Sequence, residues 1–144
     1  MSGLNTLEIM MARFDMDVGG VAHPHIYPRA SEILYVLEGK PSAGFVDSTT
    51  NRLISQTLEA GDVFVFPKGT LHFAQNIGEK IATTINALNS QYLGVINFPS
   101  AIFTSTPGIP QEVLAKSFAI NSQEVEQIRK NLRGTWNSIR LSES

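Results

Sequence analysis

Alternation of apolar and polar positions dominates the front and middle of this chain. "EILYVLEG" (Glu32 to Gly39) repeats with period two and puts Ile33, Tyr35 and Leu37 on one face, the pattern of a half-buried strand. "AGFVD" and "RLISQTL" flank the polar stretch Asp47-Ser48-Thr49-Thr50-Asn51 and predict a hairpin. "GDVFVFPKG" (Gly61 to Gly69) is a short apolar strand between turn signals. "KIATTINALN" places Ile81, Thr83, Ile85 and Ala87 on one side of a further strand. Short strands at close spacing, punctuated by Gly and Pro, predict an all-β sandwich or barrel.

The pattern changes after Pro107. Pro110 suits the first turn of a helix carrying Val113, Leu114 and Phe118. Asn121 with Glu124 forms a capping pair ahead of a second helix lined by Val125, Ile128 and Leu132. The expected organisation is a β core over residues 1–106 and a helical extension of the same domain over 107–144. The two helices either close an open end of the barrel or pack on a neighbouring subunit.

Composition narrows the function classes. At 144 residues, 42% hydrophobic and 17% charged, the chain is one ordinary domain with material for a core. A net charge of −2 without a basic stretch argues against nucleic acid as a partner. No apolar run approaches the length of a membrane span. The absence of cysteine excludes disulfides and thiolate chemistry. The first twenty residues lack a basic start, an apolar core and a small-residue cleavage site, so they do not form a signal peptide. The expectation is an intracellular chain, or the core of a longer secreted protein with its start removed.

Candidate chemistry gathers around "HPHIYPRASE" (His23 to Glu32) and "PKGTLHFAQN". On a strand, residues two apart share a face, so His25 and Tyr27 project together. Glu32 lies beyond the Pro28-Arg29-Ala30-Ser31 bend and can swing back, and His72 follows the turn set by Pro67 and Gly69. If these segments meet, His25, Glu32 and His72 make a two-histidine, one-carboxylate metal triad with positions open for substrate or oxygen. Phe45, Phe64, Phe66, Phe73 and Tyr35 are candidate walls of an apolar pocket, with plain core as the alternative. Asn76 is read either as orienting substrate or a histidine, or as a turn-stabilising amide.

These residues resemble a known family. Gly19, His25, Glu32 and Gly39 fall on the frame of the first cupin box of germin-like proteins, and Gly61, Pro67, Gly69, His72 and Asn76 match the second box in full. "GLNTLEIMMARFD", "PRASEI" and "VLAKSF" extend the resemblance over nearly the whole chain. The resemblance implies a cupin jelly-roll β-barrel with the two C-terminal helices. It also implies manganese held by three imidazoles and a carboxylate, with oxalate oxidation or superoxide dismutation as the chemistry. Ring-shaped homo-oligomers (dimer, trimer or hexamer) with helices clasping neighbours are implied as well. The family's N-terminal segment, with its signal peptide and cysteine pair, has no counterpart before "GLNTL", so secretion and the family disulfide are not carried over.

The family's second histidine of the first box falls on Tyr27, and its Pro-Pro-His becomes His23-Pro24-His25. A shift pairing His23 with His25 would break the spacing to Glu32, whereas Pro28, Arg29 and Gly39 hold the original frame. A neutral phenol is a poor ligand for a divalent ion, because ionising it near neutral pH needs help from the metal. Two mechanisms stay open. In the leading one, His25, Tyr27, Glu32 and His72 act by acid–base catalysis on a small organic molecule (isomerisation, cyclisation or elimination), with metal dependence weakened or lost. In the other, His25, Glu32 and His72 keep manganese or iron at reduced affinity for oxidoreductase chemistry. A non-catalytic small-molecule binder is the third reading. His23, Asn76, Phe64 and Phe66 are assigned to the substrate pocket.

Overall fold

Nine strands and three helices follow one another along the chain in the computed structural model, which describes residues 6–135. The chain divides into two compact units, with the division between Ile96 and Asn97. The first holds β1 (Met10–Met16), β2 (Val21–Ile26), β3 (Glu32–Glu38), β4 (Pro41–Asp47), β5 (Arg52–Thr57), β6 (Val63–Phe66), β7 (Leu71–Asn76) and β8 (Ala82–Leu88). The short β9 (Ile96–Asn97) stands at the junction.

The strands form two antiparallel sheets, ordered β1-β8-β3-β6 and β5-β4-β7-β2-β9. Leu34, Val36, Phe64 and Phe66 from the first sheet pack with Ala43 and Ala74 from the second, so the core lies between the two inner faces. The predicted hairpin forms between β4 and β5, with Asp47 opposite Arg52 and the Asp47 carboxylate capping the turn at Thr49 N.

Two alternations run with the side opposite to the apolar grouping. On β3, Glu32, Leu34 and Val36 are buried, and Ile33, Tyr35 and Leu37 are exposed. Tyr35 therefore lies on the outer face and is no pocket wall. On β8, Ala82, Thr84, Asn86 and Leu88 are buried, while of the opposite set Thr83 is buried and Ile85 and Ala87 are only partly so. Phe73 sits on β7 between buried His72 and Ala74, on the face away from the core.

Gly39 shows why the first motif ends in glycine. Its φ is +87°, and a Cβ there would lie 2.5 Å from Ala82 Cα and 2.7 Å from Ile81 O. Gly39→Ala is expected to cost about 2–4 kcal/mol, strain plus overpacking. Gly69→Ala, at φ +77° with nothing within 4 Å, carries strain only and costs about 1 kcal/mol. Urea denaturation midpoints check the ranking.

The second unit holds α1 (Phe98–Phe103), α2 (Gln111–Phe118) and α3 (Ser122–Thr135). The two predicted helices are present, with Pro110 at the N-cap of α2. At α3, Asn121 Oδ1 accepts from Gln123 N and Glu124 N, while Glu124 Oε2 accepts from Asn121 N, a reciprocal capping box. Leu114 and Val125 are buried, whereas Val113 and Phe118 are exposed. Helix α1 was not expected. It starts at Phe98 with a proline in its first turn, and the second compact unit begins at Asn97. The end of the predicted extension, residues 136–144, lies outside the described residues. Among the described residues no helix is long and apolar enough to cross a membrane.

Candidate metal centre

His25 and His72 face each other across the β2–β7 ladder as direct partners. A register shift between Ala22 and His25 accompanies this, in the segment that holds His23 and Pro24. Proline has no N–H to give to a ladder, which suits an irregular step, and a bulge of this kind re-aims the side chain that follows. The two imidazole centroids are 4.1 Å apart. Glu32 arrives from the other sheet, at the start of β3, and is buried with its side chain inward.

Both imidazoles are oriented by the backbone. His25 Nδ1 lies 2.7 Å from the carbonyl oxygen of His23, and His72 Nδ1 lies 2.9 Å from that of Thr70. A carbonyl only accepts, so each Nδ1 carries a proton and each Nε2 is the nitrogen left to face the site. His72 Nε2 is buried without a hydrogen-bond partner, 3.4 Å from Glu32 Oε2. An unpartnered ring nitrogen thus faces a carboxylate oxygen in a buried site, an arrangement that calls for a proton or a cation between them.

Among the described residues, one ligand atom from each of His25, Glu32 and His72 lies within 4.8 Å of the others. Two imidazoles and one carboxylate are a donor set that suits manganese or iron, and the unpartnered His72 Nε2 is placed to serve as one of its donors. The three residues expected to converge are therefore brought together.

Tyr27 is also at the site. Its ring makes edge contacts with His25 at 4.8 Å and with His72 at 4.9 Å, and it packs with Ala30, Leu88 and Leu93. Burial, and secondarily the negative charge of Glu32, hold the phenol well above its ordinary value, so it is neutral at pH 7. Burial, and then the neighbouring His72 ring, hold the His25 imidazole below its ordinary value.

The residues assigned to a substrate pocket fare differently. Phe66 stacks on His72 at 4.7 Å and is buried, and Phe64 packs against Phe66 within the core cluster. His23 stands beside the site and contributes its carbonyl to His25, but its ring is not in the triad. Asn76 is fully buried. Its amide nitrogen faces the carbonyls of Met16, Asp17 and Lys80, and its oxygen accepts from Gly78 N. That hydrogen-bonding capacity is spent on backbone, so the substrate contact expected of Asn76 is corrected to a turn-stabilising amide.

Two residues at the site escaped the sequence reading. Asn86 donates from Nδ2 to Glu32 Oε1, and Thr84 Oγ1 lies 2.7 Å from Asn86 Oδ1. Polar Thr84 and Asn86, two apart and therefore on one face of the strand, were the available signal.

Comparison with known proteins decides the family. The Cupin family profile matches residues 1–126. The chain belongs to the cupin family. This cupin is 48% identical over 127 residues to the rhicadhesin receptor of Pisum sativum, a match covering 88% of this chain and 58% of that protein. It is 42% identical over 130 residues to germin-like protein subfamily 2 member 2 of Arabidopsis thaliana, covering 90% and 59%. The chain thus spans somewhat over half the length of these curated relatives. A solved oxalate oxidase in complex with the substrate analogue glycolate superimposes with a TM-score of 0.88 at 38% identity, covering 92% of this chain and 67% of that one. The jelly-roll β fold and the germin-like resemblance are both met.

Proposed function

We propose that this cupin holds a divalent cation, manganese or iron, on His25, Glu32 and His72 and acts as a metal-dependent oxidoreductase on a small oxyanion. The observation that carries this reading is the buried, unpartnered His72 Nε2 aimed at the Glu32 carboxylate, with a His25 ligand atom within 4.8 Å. When bound, the ion supplies redox chemistry and positive charge for an anionic substrate. The chain's own residues do the rest. The carbonyls of His23 and Thr70 hold both imidazoles in the tautomer that presents Nε2. Glu32 contributes the negative charge that favours a divalent ion. Tyr27, kept as a neutral phenol, contributes a packed aromatic wall rather than an anionic ligand. Similarity to an oxalate oxidase solved with glycolate supports a small carboxylate as the substrate class.

Elemental analysis of the protein as isolated, followed by chelation, tests this. Near-stoichiometric manganese or iron is expected, with oxalate oxidation or superoxide dismutation lost on chelation and restored by the ion. Catalysis undiminished by metal removal would overturn it in favour of metal-free acid–base chemistry. One observation supports that second reading: the depressed His25 value supplies a neutral base beside a neutral phenol.

Assembly into homo-oligomers is part of the proposal. On the outer face of the four-stranded sheet, Met11, Ala87, Ile33 and Val65 form one row by register, and Ile85, Tyr35 and Val63 stand in the next. Ile33, Tyr35, Val63 and Val65 are between 41% and 55% exposed. A contiguous apolar strip of this kind suits burial against a second copy. Val65→Asp is expected to shift sedimentation from the oligomer to a single 15.8 kDa chain without loss of β structure.

A further inference from the structure

Strand β8 carries two buried polar side chains, Thr84 and Asn86, on the face that looks into the core. The β3–β8 register sets Asn86 opposite Leu34 and Leu88 opposite Glu32, so Asn86 is the diagonal neighbour of the carboxylate, within side-chain reach. Its Nδ2 donates to Glu32 Oε1. Its Oδ1 accepts from the Thr84 hydroxyl at 2.7 Å. The carboxylate settles which way the amide points. A carboxylate oxygen only accepts, so Nδ2 is turned to Glu32, and the Thr84 hydroxyl, which can donate, then holds Oδ1 in that orientation.

The two carboxylate oxygens are thereby made different. Oε1 is taken by Asn86, while Oε2 is 3.4 Å from the unpartnered His72 Nε2. We infer that Asn86, aligned by Thr84, is a positioning residue that holds Glu32 as a single-oxygen ligand, with Oε2 alone presented to the ion. This rests on the metal-dependent reading above. An amide donor on the second oxygen fixes the carboxylate before the ion arrives, so ordering it costs nothing at the moment of binding. It also stands as a neutral partner for a buried negative charge, which an apolar residue at position 86 could not be.

The test is manganese affinity of the purified full chain by calorimetric titration, after chelation, with melting followed in parallel. The parent is expected to bind. Asn86→Leu is expected to weaken binding by about 10–100-fold, the range for partners that orient a ligand. Thr84→Val is expected to weaken it by a few-fold to about tenfold in the parent and to have no further effect on top of Asn86→Leu. Thr84→Ser, which keeps the hydroxyl, is expected to bind like the parent. A merely structural pair would lower the melting temperature and leave affinity unchanged. If Asn86→Leu does not fold, Thr84→Val against Thr84→Ser carries the comparison alone. A parent that binds and an Asn86→Leu protein that binds equally well overturn the positioning role only. A parent that takes up no manganese or iron overturns that role together with the metal-dependent reading.

Discussion

Glu32→Gln is expected to lower manganese affinity by at least 100-fold and to abolish metal-dependent turnover, while the metal-free protein melts at the same temperature or a few degrees higher. The two effects have opposite signs for one reason. Glu32 is 3% exposed, so its carboxylate is held in a poorly solvating interior beside the buried His72 ring and a single amide donor. Neutralising a buried carboxylate in an otherwise intact site removes a desolvation cost of about 1 kcal/mol or more. The same change takes away the only anionic donor in the triad. The parent's gain in melting temperature with manganese, about 2.7 kcal/mol of stabilisation at a hundredfold excess over Kd, should vanish in the variant. A metal-free Glu32→Gln protein that is clearly destabilised would mean that Glu32 serves the fold and not the ion.

Tyr27→His is expected to strengthen manganese binding by at least about tenfold, the lower bound for losing even a partner that only orients a ligand. The Tyr27 ring already lies 4.8 Å from His25 and 4.9 Å from His72, so an imidazole on the same backbone falls among the present donors. The phenol brings no negative charge to the site, since burial and Glu32 hold it well above its ordinary value. Calorimetry with manganese, alongside Tyr27→Phe as the control for lost hydroxyl, reads the effect. Tyr27→Phe is expected to bind like the parent. Weaker binding by Tyr27→His and Tyr27→Phe alike would show that the phenol is itself a ligand, ionised by the metal.

Much of the site was legible because its signals are local or strongly spaced. His25 and Tyr27 share a face by strand periodicity, and His72 is placed by the turn at Pro67 and Gly69. The glycine at position 39 is demanded by a positive φ and by Ala82, which a Cβ there would overlap. The Asn121–Glu124 capping box needs only four consecutive residues and formed as expected. Helix α1 was missed because six residues with no buried side chain carry too little periodic signal to stand out.

What the sequence determined by itself was the frame: strand periodicities, turn positions, helix caps and the three residues that converge, His25, Glu32 and His72. Which face of each strand turns inward was decided only by the tertiary structure. Period-two alternation defines two faces without saying which is buried, and the usual tie-breaker is that the apolar one goes inside. Here the outer face of β3 and β8 is apolar too, with Ile33, Tyr35 and Leu37 exposed, while Glu32, Thr84 and Asn86 are buried. Those polar groups can be inside because they satisfy one another, Thr84 with Asn86 along β8 and Asn86 with Glu32 across strands, 54 positions apart in the chain. Pairing of that kind exists only after the sheets have formed, which is why Asn86 and its hold on Glu32 belong to the fold and not to any stretch of sequence.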